Sequence, residues 1–285
     1  MAGTRLLVHI RPDAPPGRIL DLLAHLAREP EARFSSVSGL NAWAIEHGLG
    51  KASELESIAA MAQTLGLLGH DEGGVGLSAD GALLMRASES ARADLLHFRF
   101  YTLWTAEQPT EVVKSWSYRN CLDAYWEMQT ARLTPAFLDQ RAQGTINDAE
   151  QVFGALGVYD LANISFSRKS LAAIHLWLAA LQPSVLSDDT FARRAFCPPE
   201  LLLLALGWVL GDEAAGTGDV LLSNETLQAI CRVCLLEPAA FDTALDWMLP
   251  IFPDVVTAGT SAGFYGRFIR LLRPPTLADL ARDGA

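Results

Sequence analysis

From Gly17 onwards, apolar residues recur at helical spacing in three successive segments, and then the period breaks. GRILDLLAHLARE sets Ile19, Leu22, Leu23 and Leu26 on one face. SSVSGLNAWAIEHGL predicts a second helix from Gly39 to His47, with Ser38 as its N-cap and Gly48 as its terminator. ELESIAAMAQTLGLL predicts a third after Ser53, with Leu55, Ile58, Ala59, Met61 and Leu65 on its apolar face. Leu67 to His70 then reads as a short extended segment, Asp71 to Gly74 as a glycine-rich tip, and Val75-Gly76-Leu77 as the return. Ser78 is placed to cap a new helix, with Gly81 in its first turn and Leu83, Leu84 and Met85 beyond. Ahead of all this, LLVHIRP reads as a short strand closed off by Pro12, Pro15 and Pro16.

From Asp94 the pattern becomes rich in aromatic residues. DLLHFRFYTLW, YRNCLDAYWEMQT, TPAFLDQRAQ, INDAEQVFGALG and SRKSLAAIHLWLAAL all read as helices, joined through Pro109, Pro135, Gly144 and Pro183. The last third begins with PPELLLLALGWVLGD, whose prolines suit a first helical turn. SNETLQAICRVCLLE and PAAFDTALDWML continue as helices. IFPDVVTAGTSAGFYGRFIRLLRPP then predicts a hairpin with a small-residue tip from Ala258 to Gly263.

Three helices, a glycine hairpin (TLGLLGHDEGG, VGLSADG) and a following helix make the first segment, Gly17 to Ser90, resemble the winged-helix superfamily. The last third, about residues 196–275, repeats the order helix, helix, helix, hairpin and suggests a second unit of that kind. The expected fold is therefore mainly α. It comprises a winged-helix domain at 1–93, a helical middle domain at 94–195, and a helical, winged-helix-like domain with a short hairpin at 196–285. The resemblance implies a third helix that enters the DNA major groove and a hairpin that touches the adjacent backbone. On this chain that helix offers Lys51, Gln63 and Thr64.

Half of the 285 residues are hydrophobic and 19% are charged, which supplies ample core and argues against disorder. The longest apolar run, from Leu201 to Gly211, falls well short of the roughly twenty residues that span a bilayer, so no membrane association is expected. MAGTRLLVHIRPDAPP has an apolar run too short for a secretory signal, so a cytoplasmic location is expected. The net charge of −11 is distributed as −3 over residues 1–105, −2 over 106–195 and −6 over 196–285. No third is basic, so any nucleic-acid site is a local patch on an acidic body.

Candidate chemistry is sparse. Cys231 and Cys234 have CxxC spacing, but no second pair accompanies them and they lie in a helical pattern, where buried thiols compete with a metal pair as the explanation. Gly259-Thr260-Ser261-Ala262-Gly263 spells a nucleophile elbow, yet every histidine precedes it and the mechanism needs one after it. Gly48 to Ser53 lacks phosphate-loop spacing, and the six histidines form no ligand pair. No catalytic residue, metal or cofactor is expected.

The charge around the third helix departs from a DNA-binding pattern: Glu54 and Glu56 flank its start, and Asp71 and Glu72 occupy the hairpin tip. Arg86, Arg92 and Arg99 would share a broad face on one continuous helix. Arg267, Arg270 and Arg273 recur every third residue, either as phosphate contacts or as solvated arginines guarding an edge strand. Trp116, Tyr118 and Arg119 combine the residue types of binding hot spots, with core packing as the alternative. Two functions fit. One is a non-catalytic DNA-binding regulator or DNA-associated subunit of a larger bacterial-type complex. The other is an acidic winged-helix adaptor that binds a protein partner, or a second copy of itself, without touching DNA.

Overall fold

Helix α1 (Pro16–Arg28) starts on a proline, whose fixed φ suits a first turn, and buries Ile19, Leu22, Leu23 and Leu26. The computed structural model describes every residue except 1–3, 6–7, 109–111, 158, 161–163, 212–215, 217, 261–266 and 282–285. It is mainly helical, with small sheets. A two-residue strand β1 (Thr4–Arg5) precedes α1, earlier than the strand expected at LLVHIRP. Val8 and Ile10 are fully buried without being in a strand, and Leu6 and Leu7 lie outside the described residues.

Helix α2 (Val37–Glu46) is capped by Ser36, whose hydroxyl accepts from the Gly39 N–H at 3.2 Å, two residues ahead of the expected cap at Ser38. Helix α3 (Ala52–Thr64) packs Leu55, Ile58, Ala59, Met61 and Ala62 inwards. Strands β2 (Leu68–Asp71) and β3 (Gly74–Leu77) pair antiparallel, Leu68 opposite Leu77 and Asp71 opposite Gly74. A third strand position comes from between α1 and α2: Phe34 exchanges backbone hydrogen bonds of 2.9 and 2.7 Å with Val75. Gly74 has φ 114°, and any Cβ there would run into the Phe34 carbonyl. The glycine therefore admits the third strand as well as serving the turn. Helix α4 (Ala79–Arg86) follows at once. The Ser78 hydroxyl accepts from the Gly81 N–H and donates to the Gly66 carbonyl, while Gly81 leaves room for the Leu67 carbonyl.

The middle third holds α5 (Arg92–Thr102), α6 (Val113–Glu127), β4 (Thr130–Arg132), α7 (Pro135–Gly154), β5 (Tyr159–Asp160), α8 (Arg168–Ala179), β6 (Leu186–Ser187) and β7 (Thr190–Ala192). Strand β5 pairs in parallel with β1. Two expectations are corrected here. Gly144 does not separate two helices but lies inside the continuous α7, where the Arg141 side chain covers it and reaches Asp148 at 2.9 Å. Nor is the region purely helical, because β4, β7 and β6 form an antiparallel sheet in that order. Its hairpin turns through Asp188 and Asp189, both at positive φ as a tight two-residue hairpin requires.

The last third holds α9 (Pro199–Leu210), β8 (Val220–Leu221), α10 (Asn224–Cys234), α11 (Phe241–Met248), β9 (Val256–Thr260) and β10 (Arg267–Leu271), with sheet order β8-β10-β9. Ala258 belongs to β9 and not to the expected tip; residues 261–266 lie outside the described residues. Apart from the β1–β5 pair, one order thus occurs in all three thirds: helix, short strand (the single bridge residue Phe34 in the first), helix, helix, hairpin. In each, the short strand pairs with the last strand of the hairpin, which is central.

Helix α5 touches α1, α6, α9 and α10, so it joins the thirds. Its buried Asp94 pairs with buried Arg194 at 2.6 Å and accepts from the Gln182 N–H. Arg194 also donates to the Cys234 carbonyl at 2.8 Å. Burial pushes the Asp94 carboxyl up, against the pull of the guanidinium. One turn on, His97 bonds the Tyr118 hydroxyl and the Val233 carbonyl.

Candidate functional site

The arginines every third residue at the chain's end start on β10, whose inward residues Ile269 and Leu271 hold the strand against the core. Arg267 is taken up by two carboxylates of α11, Asp242 at 2.6 Å and Asp246. Arg270 binds Asp219 at 2.7 Å, and Arg273 binds Asp279. Partial burial works against the Arg267 charge, but its two carboxylates hold its pKa above the ordinary arginine value. The expected cationic stripe is therefore a row of closed ion pairs, in which each guanidinium already has the partner a phosphate would offer.

Lys51 sits exposed at the N-cap of α3. Glu54, in the first turn, pairs with Arg18 at 3.7 Å. Gln63 is partly exposed, and the Thr64 hydroxyl donates back to the Ala60 carbonyl at 2.8 Å. Glu56, Ser57, Ala60 and Thr64 line a cavity shared with Lys114 and Ser165 of the middle third. That face of α3 borders the middle third, with Glu56 and Ala60 still exposed. At the hairpin tip Asp71 binds Arg33 at 3.1 Å and accepts from the Gly73 N–H; these bonds hold its carboxyl below the usual range.

Arg86, Arg92 and Arg99 do not share one helix: Arg86 closes α4, whereas Arg92 and Arg99 lie on α5. Arg92 donates to the Met85 and Ala87 carbonyls, and Arg99 to the Leu65 carbonyl and to Asp80. Their charge goes into capping and joining elements.

Trp116 and Tyr118 are core residues, not surface anchors. Tyr118 stacks on Phe100 at 4.4 Å, and Trp116 meets Phe153 edge-on at 5.1 Å. Arg119 lies over the Tyr101 and Trp208 rings, 3.9 Å from Asp123. The spacing of α6 puts the two aromatics inward, and of the three only Arg119 is partly exposed.

An anchor of the hot-spot kind lies elsewhere. Trp247 is 64% exposed on α11, edge-on to Phe196 (40% exposed) at 6.5 Å, and Ile251, four residues on, is 46% exposed. Helix α11 buries Phe241, Ala244, Leu245 and Met248, which puts Trp247 in phase with Asp242, Thr243 and Asp246 on the outward side. That phase was readable in PAAFDTALDWML.

Reactive chemistry has little support among the described residues. Cys231 and Cys234 are buried, and burial pushes the Cys231 thiol up to about 12. A thiol so protonated is a poor nucleophile or ligand. No group of three or more His, Cys, Asp or Glu side chains that could hold a metal occurs among the described residues, and no helix among them is long and apolar enough to cross a membrane. Ser261 lies outside the described residues. No protein-family model, curated protein or solved structure matches the chain.

Proposed function

We propose that the chain is a non-catalytic protein–protein adaptor built from three winged-helix units, which docks a basic partner protein on the outward face of the third. The winged-helix reading rests on the order helix, strand, helix, helix, hairpin, with the short strand paired to the hairpin's last strand in each third. The observation that carries the adaptor reading is Trp247. A tryptophan two-thirds exposed beside a second exposed aromatic is the kind of anchor that dominates protein interfaces. It sits on the third helix of its unit, beside Asp242 and Asp246, in the most acidic third of the chain. A basic surface with an apolar slot complements it.

A direct DNA role draws on the cations near the first unit's third helix, Lys51 at its N-cap and Lys114 across from it. Against it stand the closed ion pairs of Arg267, Arg270 and Arg273, and the exposed carboxylates Glu54 and Glu56 at the start of α3.

Two measurements separate the readings. A photo-crosslinking residue in place of Trp247, used in the source cell, should capture one predominant basic protein, and Phe196→Asp should abolish the capture. Labelled duplex and single-stranded DNA should fail to bind at about 50 mM salt, where phosphate contacts are strong. Binding that weakens between about 50 and 200 mM salt, with no crosslink at position 247, would replace the adaptor reading by the DNA reading.

A further inference from the structure

The cavity between α3 and the start of α6 has no role in the adaptor reading. Its volume is about 380 Å³, within the range of small-molecule sites. Val8, Ala14, Ala60 and Met61 give it an apolar wall. The polar lining includes three nitrogen side chains, His9 and Arg11 from the segment before α1 and Lys114 from the first turn of α6, beside Glu56 and the hydroxyls of Ser57, Thr64 and Ser165. Among the described residues no carboxylate pairs with Arg11 or Lys114, in a protein where most arginines are matched to acids. Lys114 is half-buried, and burial first, then the charge of Arg11, pushes its pKa down. His9 is pushed down by burial and by Arg11, Lys114 and Lys169. The Ser170 hydroxyl holds the His9 Nδ1, and among the described residues no hydrogen bond is made by its Nε2.

We infer that this cavity binds a small phosphorylated molecule. Two cations that repel each other, one of them half-buried, are stabilised by an anion between them. A phosphomonoester, with a charge of about −1.5 to −2 at neutral pH and three acceptor oxygens, matches both cations where a carboxylate matches one. Glu56 is the carboxylate among the lining residues. It suits a hydroxyl or amine on the body of the ligand, away from the phosphate. A sugar phosphate or mononucleotide has this distribution. The cavity is partly open to solvent, and its volume is that of a small-molecule site, so a free phosphorylated molecule fits within it. Because α3 forms one wall and the middle third the other, the ligand would tie the first unit to the second.

Isothermal titration with inorganic phosphate and with ribose 5-phosphate tests this, alongside a labelled duplex. Both phosphates should bind, and Arg11→Gln and Lys114→Gln should each weaken them by about tenfold or more. Lys114→Arg, which keeps the charge, should retain binding, and unchanged melting of the variants separates a lost site from a lost fold. Glu56→Gln should weaken ribose 5-phosphate and leave inorganic phosphate unaffected or slightly tighter. Absence of binding at about 10 mM of either phosphate, an affinity too weak for a built site, would overturn the proposal. So would affinities that the Arg11 and Lys114 substitutions leave unchanged. A duplex that binds through Lys114 while neither small phosphate binds would assign the cations to nucleic acid instead.

Discussion

His97 has a hydrogen bond on each ring nitrogen, from the Tyr118 hydroxyl at Nδ1 and to the Val233 carbonyl at Nε2, and no access to solvent. The Nε2 facing a carbonyl must carry the proton, so the ring is neutral and Tyr118 donates. Burial brings its pKa down to about 3, whereas the unfolded chain protonates near 6.5. Between those values the unfolded state binds the extra proton. This contribution to stability is therefore complete above about pH 6.5 and is lost as the pH falls towards 3. At about 1.4 kcal/mol per pH unit, acidification from pH 6.5 to 5 should cost about 2 kcal/mol through this residue. Urea unfolding at both pH values should show that loss, and His97→Gln should flatten it; an unchanged slope in the variant would place the titration elsewhere. At this scale the sequence was partly legible. The phase of α6 favours the core for Trp116 and Tyr118, and the phase of α11 exposes Trp247. The acids that close on Arg267 and Arg270 come from Asp242, Asp246 and Asp219, on other elements, and no local pattern announces them.

Among the elements, helices announced themselves and most strands did not. Helices of ten or more residues show their period, while β4, β6, β7 and β8 have two or three residues each and none to show. The exceptions are the first hairpin and the last, β9 with β10; glycines mark the first, although their second purpose appears only in space. Gly74 combines a positive φ with the approach of the Phe34 strand, so Gly74→Ala should destabilise by about 2 kcal/mol or more. Gly48 has φ 72° but open space around it, so Gly48→Ala should cost only about 1 kcal/mol of backbone strain. Thermal melting of the two variants checks this; equal losses would mean that the Phe34 bridge contributes nothing to the first unit. Gly144 teaches the opposite lesson. A glycine inside a helix costs about 1 kcal/mol against alanine and does not end it when the flanking turns are well packed.

In the whole molecule the thirds are held together through α5 and the Asp94–Arg194 pair, which links the middle third to the Cys234 carbonyl of α10. Removing one partner leaves a buried charge unpaired, so Arg194→Met should cost about 3–5 kcal/mol. The loss should appear as a lower melting temperature of the middle and last thirds together. A variant as stable as the parent would show that the pair is not what couples them. The threefold recurrence of one strand order escaped a reading of helical period, because it resides in which strands exchange hydrogen bonds.

That strand order governs how the chain leaves the ribosome. In each third the hairpin sheet is completed by its final strand, which lies in the centre, so the short strand made first waits for a partner roughly forty to sixty residues downstream. At about 5–20 residues per second the wait is roughly 2 to 12 seconds for each unit. During it, β4 and β8 in turn have free edges, and a nascent chain halted within a hairpin offers such an edge to chaperones or to a neighbouring nascent copy.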